Sequence, residues 1–150
     1  MPARSSSVVA VLVAATAVAL VWSRPSPPAT AMAACPGCDL AEVGWSHRDL
    51  SGLDFRGADL RRATLTDANL FGADLSGADL RGASLRRARL ASAVLVAADL
   101  RGADLRDADM VGVVLNQARL EGARLDGAFI HDAYLCDVIL PADMHKHRRC

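Results

Sequence analysis

The chain has 150 residues, as many acidic as basic side chains, and an apolar fraction of 52% in which aromatic residues make up only 4% of the chain. That length suits one domain. The charge balance supplies no basic or acidic excess from which to argue a nucleic-acid partner or an acidic ligand.

The first 33 residues are unlike the rest. Arg4 lies in a short polar stretch, Val8 to Trp22 is apolar except for Thr16, Ser23 to Pro28 is rich in Pro and Ser, and small residues run from Ala29 to Ala34. This is the layout of a secretory signal peptide over residues 1–33, and it predicts a secreted or cell-envelope protein. Ala29-Thr30-Ala31 and Ala31-Met32-Ala33 both fit an A-x-A cleavage site. The apolar run is shorter than the ~18–20 residues of a spanning helix, so the mature chain is expected to carry no membrane span. Two other readings stay open. Residues 8–22 could remain as an uncleaved anchor, or Met32-Ala33-Ala34-Cys35 could be a lipoprotein site.

Residues 34–47, with Cys35, Cys38 and Trp45, read as an N-terminal cysteine-bearing cap before an array over residues 48–140 that repeats every five residues. Leu or a close substitute recurs at each step, from Leu50, Phe55 and Leu60 through Met110 to Ile130, Leu135 and Leu140. Ala or Val stands two residues before nearly all of them, from Ala58 to Val138. A strict short period across most of a chain indicates a repeat architecture. Five suits neither regular element. On a helix, a five-residue step rotates about 140° off the starting face. In a flat strand an odd step flips the side chain to the other side of the sheet. A chain bend in every repeat removes both conflicts. With Leu as position i, residues i−2 and i point inward, i−1 and i+1 point outward, and i+2 is a corner. Glycine suits a corner because it tolerates positive φ, and Gly52, Gly77, Gly102 and Gly127 are among those at i+2.

Segments such as Ala58-Asp59-Leu60-Arg61, Ala78-Asp79-Leu80-Arg81-Gly82 and Ala103-Asp104-Leu105-Arg106 resemble the pentapeptide-repeat family, A(D/N)LXX. The resemblance implies an all-β fold, a right-handed four-sided parallel β-helix with one repeat per side and four per coil. The inward leucines would form a dry column, and stability would be nearly additive along the axis.

On that architecture the four cysteines fall at the two ends. With coils rising ~4.8 Å each, the ends stand some 20 Å or more apart, beyond the ~7 Å Cα separation that a disulfide allows. The expected pairs are Cys35 with Cys38 and Cys136 with Cys150. Cys35-Pro36-Gly37-Cys38 also resembles the ends of exported family members. A redox reading of this C-x-x-C needs a strand-to-helix setting, and the repeat follows at once instead. A metal site at His145, His147 and Cys150 lacks regular ligand spacing, so residues 141–150 read as a cap with a solvated basic tail. Trp45 falls on the five-residue period and suits a plug in the first coil.

Residues twenty apart should stack outside. Asp59, Asp79 and Asp99 form one column beside Arg61, Arg81 and Arg101. Arg86 and Arg106 stack on the next face, with Arg62 and Arg87 at corners. Interleaved charge reads as a solvated lattice, against a polyanion-binding Arg stripe. Val94, Val96, Val111 and Val114 depart from the polar habit, with Phe129 and Tyr134 outward in the next coil. This group, extended by Tyr134, is the candidate interface for a protein partner or a second copy.

No catalytic set, phosphate loop or cofactor motif is visible. The sequence therefore points to a non-enzymatic exported scaffold or protein-interaction module. The family resemblance offers an alternative, a cytoplasmic DNA mimic that interacts with gyrase. That role calls for a strongly acidic surface, and this chain has Arg columns and a signal-like N-terminus.

Overall fold

The computed structural model describes residues 35–141. The expected signal segment 1–33, its anchor and lipoprotein alternatives, and the tail with His145, His147 and Cys150 lie outside the described residues.

The five-residue period is visible in the backbone hydrogen bonds. In the repeat Leu80–Ser84, the amide of Leu80 donates to Asp99 O (2.8 Å) and that of Gly82 to Arg101 O (3.1 Å), both nineteen residues ahead. Ser84 N donates back to Ala63 O (2.9 Å), and Ala83 N closes a local turn onto Leu80 O (3.0 Å). The fifth amide, Arg81 N, donates to Oδ1 of Asp79 at 3.2 Å. All five donors of the repeat are thus satisfied, four by carbonyls and one by the carboxylate at i−1. This explains the Asp/Asn of the motif, because only a short side-chain acceptor there reaches the turn amide. Asp49, Asp54, Asp59, Asn69, Asp74, Asp99, Asp104 and Asp109 serve the i+1 amide in the same way.

The bridges are parallel and pair each residue at i−1 with the one twenty further on. They form four ladders. One runs Asp39, Asp59, Asp79, Asp99, Arg119, Ile139; the next Gly44, Thr64, Ser84, Asp104, Arg124. The third runs Asp49, Asn69, Arg89, Asp109, Phe129, and the fourth Asp54, Asp74, Val94, Val114, Tyr134. One coil therefore takes twenty residues, and the ladders already include Asp39 and Gly44. No helix occurs among the described residues.

Each corner at i+2 has positive φ, from Gly37 to Asp137 without exception. Glycine was expected there. Side chains also occupy it, as at Ala97 (φ 56°) and Gln117 (φ 62°). The stacked coils impose the left-handed conformation even where it costs roughly 1–2 kcal/mol.

Between the ladders lies a dry interior. Leu60 to Leu105, with Ala58 to Ala108 beside them, are buried, and Met110 and Val113 fill the same positions. No polar residue among those described is buried. Trp45 is buried near the start of the column, with its ring centroid 5.8 Å from that of Phe55, as expected of a plug. At the far end Leu125, Ile130 and Leu140 are only partly covered.

Candidate interaction surfaces

Outward chemistry divides the molecule lengthwise. On the Asp39 ladder the expected columns become paired forks. Arg81 places Nε 2.8 Å and Nη2 2.6 Å from the two oxygens of Asp79, and Arg101 grips Asp99 with the same distances. Arg61 grips Asp59 likewise, and its Nε lies 3.9 Å from Asp79 in the next coil. On the Gly44 ladder Arg106 forks onto Asp104. Corners add pairs between coils, Arg87 to Asp67 at 2.7 Å and Arg62 to Glu42 at 2.5 Å. Bidentate charge-assisted bonds fix each guanidinium in place. The forks also set the carboxylates' acidity. The Arg106 side-chain hydrogen bond, ahead of the Arg106 backbone amide, holds Asp104 down to about 2, against an opposing desolvation. Asp59, Asp79 and Asp99 are lowered for the same first reason. These arginines face their own carboxylates, which leaves them poorly placed to grip a polyanion.

The Asp49 and Asp54 ladders, adjacent along the coil, differ past their first rungs, where Arg56 still forks onto Asp54. Val94, Val114 and Tyr134 are consecutive rungs of one, with Val96 beside Val94 in the same repeat. Val111 belongs to the neighbouring ladder, just before the Gly112 corner. Val94, Val96 and Val114 are half-buried, whereas Val111 (40%) and Tyr134 (61%) are exposed. Val94, Val114 and Tyr134 also offer no side-chain acceptor to the turn amide two residues on. The amide of Cys136 instead takes Oδ1 of Asn116, one coil back, at 3.0 Å.

Sequence reasoning overlooked Phe71 and Ile139, both 49% exposed, and underweighted Phe129, which is 58% exposed. Phe71 was findable. It follows Leu70 as Val111 follows Met110, and the forty residues between them are two coils, so both occupy one outward column.

Cys35 and Cys38 form a close pair with Cα atoms 5.5 Å apart. Cys136 is half-buried beside Leu135. Among the described residues no group of His, Cys, Asp and Glu is placed to hold a metal ion, and no helix is long and apolar enough to cross a membrane.

Pentapeptide repeats match this chain in eight copies, over residues 38–77, 49–87, 68–107, 83–122 and 103–140. The chain belongs to the pentapeptide-repeat family. Its members are known as right-handed β-helices and are generally structural or interaction modules without enzymatic activity. Among solved structures, HetL, a pentapeptide repeat protein involved in heterocyst differentiation regulation in the cyanobacterium Nostoc, is 33% identical with a TM-score of 0.53. The match covers 74% of this chain and 61% of HetL, so the chain spans less than two thirds of that relative. A pentapeptide repeat protein of the Arabidopsis thaliana thylakoid lumen is 30% identical over 77% of this chain and 75% of its own, with a TM-score of 0.38. QnrB1, a plasmid-mediated fluoroquinolone resistance protein, is 24% identical over 70% of this chain and 61% of its own, with a TM-score of 0.34. No curated protein matches.

Proposed function

We propose that this protein is a non-enzymatic exported scaffold that binds a protein partner through its apolar ladders, on a right-handed four-sided β-helix. The twenty-residue register and the four ladders favour one repeat per side. The observation that carries the functional reading is the lengthwise division of the surface. The Asp–Arg forks satisfy their own charges, while Val94, Val96, Val111, Val114 and Tyr134 lie on two adjacent ladders that also carry the exposed Phe71 and Phe129. Such a patch marks a place for a partner.

Export rests on the layout of residues 1–33. Disulfides at the two ends, Cys35–Cys38 and Cys136–Cys150, accord with an oxidising compartment. A solenoid without caps would present open ladder edges, and both pairs would pin an end.

Two measurements test this reading. Mass spectrometry of the protein in the exported fraction should place its N-terminus near Met32 or Ala34 and find both disulfides by unreduced peptide mapping. An intact Met1 in the membrane fraction would favour the anchor, and a protein retained in the cytoplasm would remove the export reading. Replacing Val96 and Val114 with Asp should leave the melt nearly unchanged and abolish partner binding. Unfolding of that double variant would show that these valines are core.

A further inference from the structure

The outward residues of the Asp49 ladder follow an order with its own symmetry. From one coil to the next they read Asn69 with Phe71, Arg89 with Ala91, Asp109 with Val111, and Phe129 with His131. Arg89 has no carboxylate within salt-bridge distance among the described residues, unlike the forked arginines of the Asp39 ladder. Asp109 spends one oxygen on the Val111 amide, at 3.3 Å, and has no arginine partner among the described residues. The apolar members, Phe71, Val111 and Phe129, are three of the most exposed large hydrophobic residues of the molecule.

We propose that this side of the solenoid docks on the same side of a second copy, antiparallel, about a two-fold axis midway between the Arg89 and Asp109 coils. The proposal deepens the interaction-module reading and rests on it. A two-fold axis lying in the contact plane across the coils keeps each outward column opposite itself and reverses the order of coils. Arg89 then faces Asp109 of the second copy, and Asp109 faces its Arg89, so two ion pairs form at the centre. Ala91 faces Val111 in the same two coils. At each end Phe71 comes beside the other copy's Phe129, which lies over Asn69. The parallel arrangement, with the axis along the solenoid, brings column i−1 of the Asp49 ladder against i+1 of its own or the next side. It sets Arg89 and Asp109 against uncharged or valine positions. Charge complementarity therefore selects the antiparallel copy.

The contact is small. Four coils at ~4.8 Å per coil give a strip about 19 Å long. That belongs with weak interfaces below about 1,200 Å² of total buried surface, so association should be concentration-dependent and reversible.

The test uses the full chain as purified from cells, with sedimentation equilibrium from micromolar to millimolar protein. The wild type should shift from monomer to dimer across that range. Arg89→Asp and Asp109→Arg should each remain monomeric at the concentration where the wild type is half dimeric, because each homodimer would oppose like charges twice. Mixed in equal amounts, the two variants should form a heterodimer, because each then offers the opposite charge at both positions. Rescue by mixing separates this contact from any effect inside one chain, and unchanged melts of the two variants show that each is folded. A wild type that stays monomeric at millimolar concentration overturns the self-docking and leaves the separate Val96/Val114 partner test standing. Single variants that dimerise like the wild type, or a mixture that fails to associate, overturn it equally.

Discussion

The Asp39 ladder and the Asp54 ladder share one backbone, one register and one kind of interior, and differ only outside. On the first, Asp59, Asp79 and Asp99 each cap a turn amide and hold an arginine fork. On the second, Asp54 caps a turn and holds the Arg56 fork, Asp74 caps a turn beside Ser76, and Val94, Val114 and Tyr134 replace them. Val94 and Val114 give up a side-chain cap that is typically worth about 0.5–1.5 kcal/mol, whereas after Tyr134 the Asn116 side chain caps the Cys136 amide. The comparison teaches that the fold is specified from inside, by Leu and Ala, and that outward positions are free to serve other ends. An apolar run that forgoes local hydrogen bonds is better explained by a contact beyond the chain than by the stability of the coil.

If the interior is common to both sides, charging it should be equally damaging beneath either. Leu80→Asp, under Asp79 and Arg81, and Leu95→Asp, under Val94 and Val96, each put an unpaired carboxylate in a dry column. Both should lower stability by several kcal/mol, on the order of 4 or more, and abolish the cooperative melt in circular dichroism. A large difference between them would mean that the two sides do not share one core.

Acid should then separate the sides. Asp104 falls from its ordinary 3.8 to about 2 on folding, and Asp59, Asp79 and Asp99 shift in the same direction. A lowered folded-state value contributes stability that is present above the unfolded value and lost as pH falls through the folded one. Asp49 and Asp54 are lowered too, by Ser51 and Arg56, so lowering pH from about 4 to about 2 should loosen the carboxylate-capped turns first and the valine rungs last. Amide exchange at Arg81, Arg101 and Arg106 should accelerate before exchange at Val96. Uniform acceleration would contradict the division.

Removing a cap on the charged side should cost more than adding one on the apolar side. Asp79→Ala should lower stability by about 1–2 kcal/mol, through the lost turn bond and fork. Val114→Asn restores the acceptor that Asn69 gives to the Phe71 amide, and should change stability by less than about 1 kcal/mol in denaturant unfolding. The smallest effect belongs to the corners, where Ala97→Gly should stabilise by roughly 0.5–1 kcal/mol by relieving positive φ.

Much of this was legible in the sequence. The spacing of Leu60, Leu65 and Leu70 excluded helix and flat strand and fixed which residues face inward. The Ala-Asp-Leu segments pointed to the family. The four repeats per coil that the resemblance implies aligned Asp59 with Asp79. What could not be read was the partner of each charge. Columns of Asp and Arg suggest an alternating lattice, whereas the fork joins residues two apart in the same repeat, and it depends on side-chain geometry that spacing does not encode. The corners were legible from the register alone, which places Ala97 and Gln117 at i+2 beside the glycines. Phe71 was overlooked because it lies two coils before Val111 and only the three-dimensional column joins them.

The central claim is that contacts beyond the chain use the apolar rungs of the Asp49 and Asp54 ladders and spare the Asp–Arg forks. Hydroxyl-radical footprinting tests it most directly, by comparing dilute purified protein with the same protein in intact cells. The account predicts protection of Phe71, Phe129 and Tyr134 in cells, with Arg81 and Arg101 labelled equally in both settings. Protection of the arginine forks with the aromatic residues left open would contradict it.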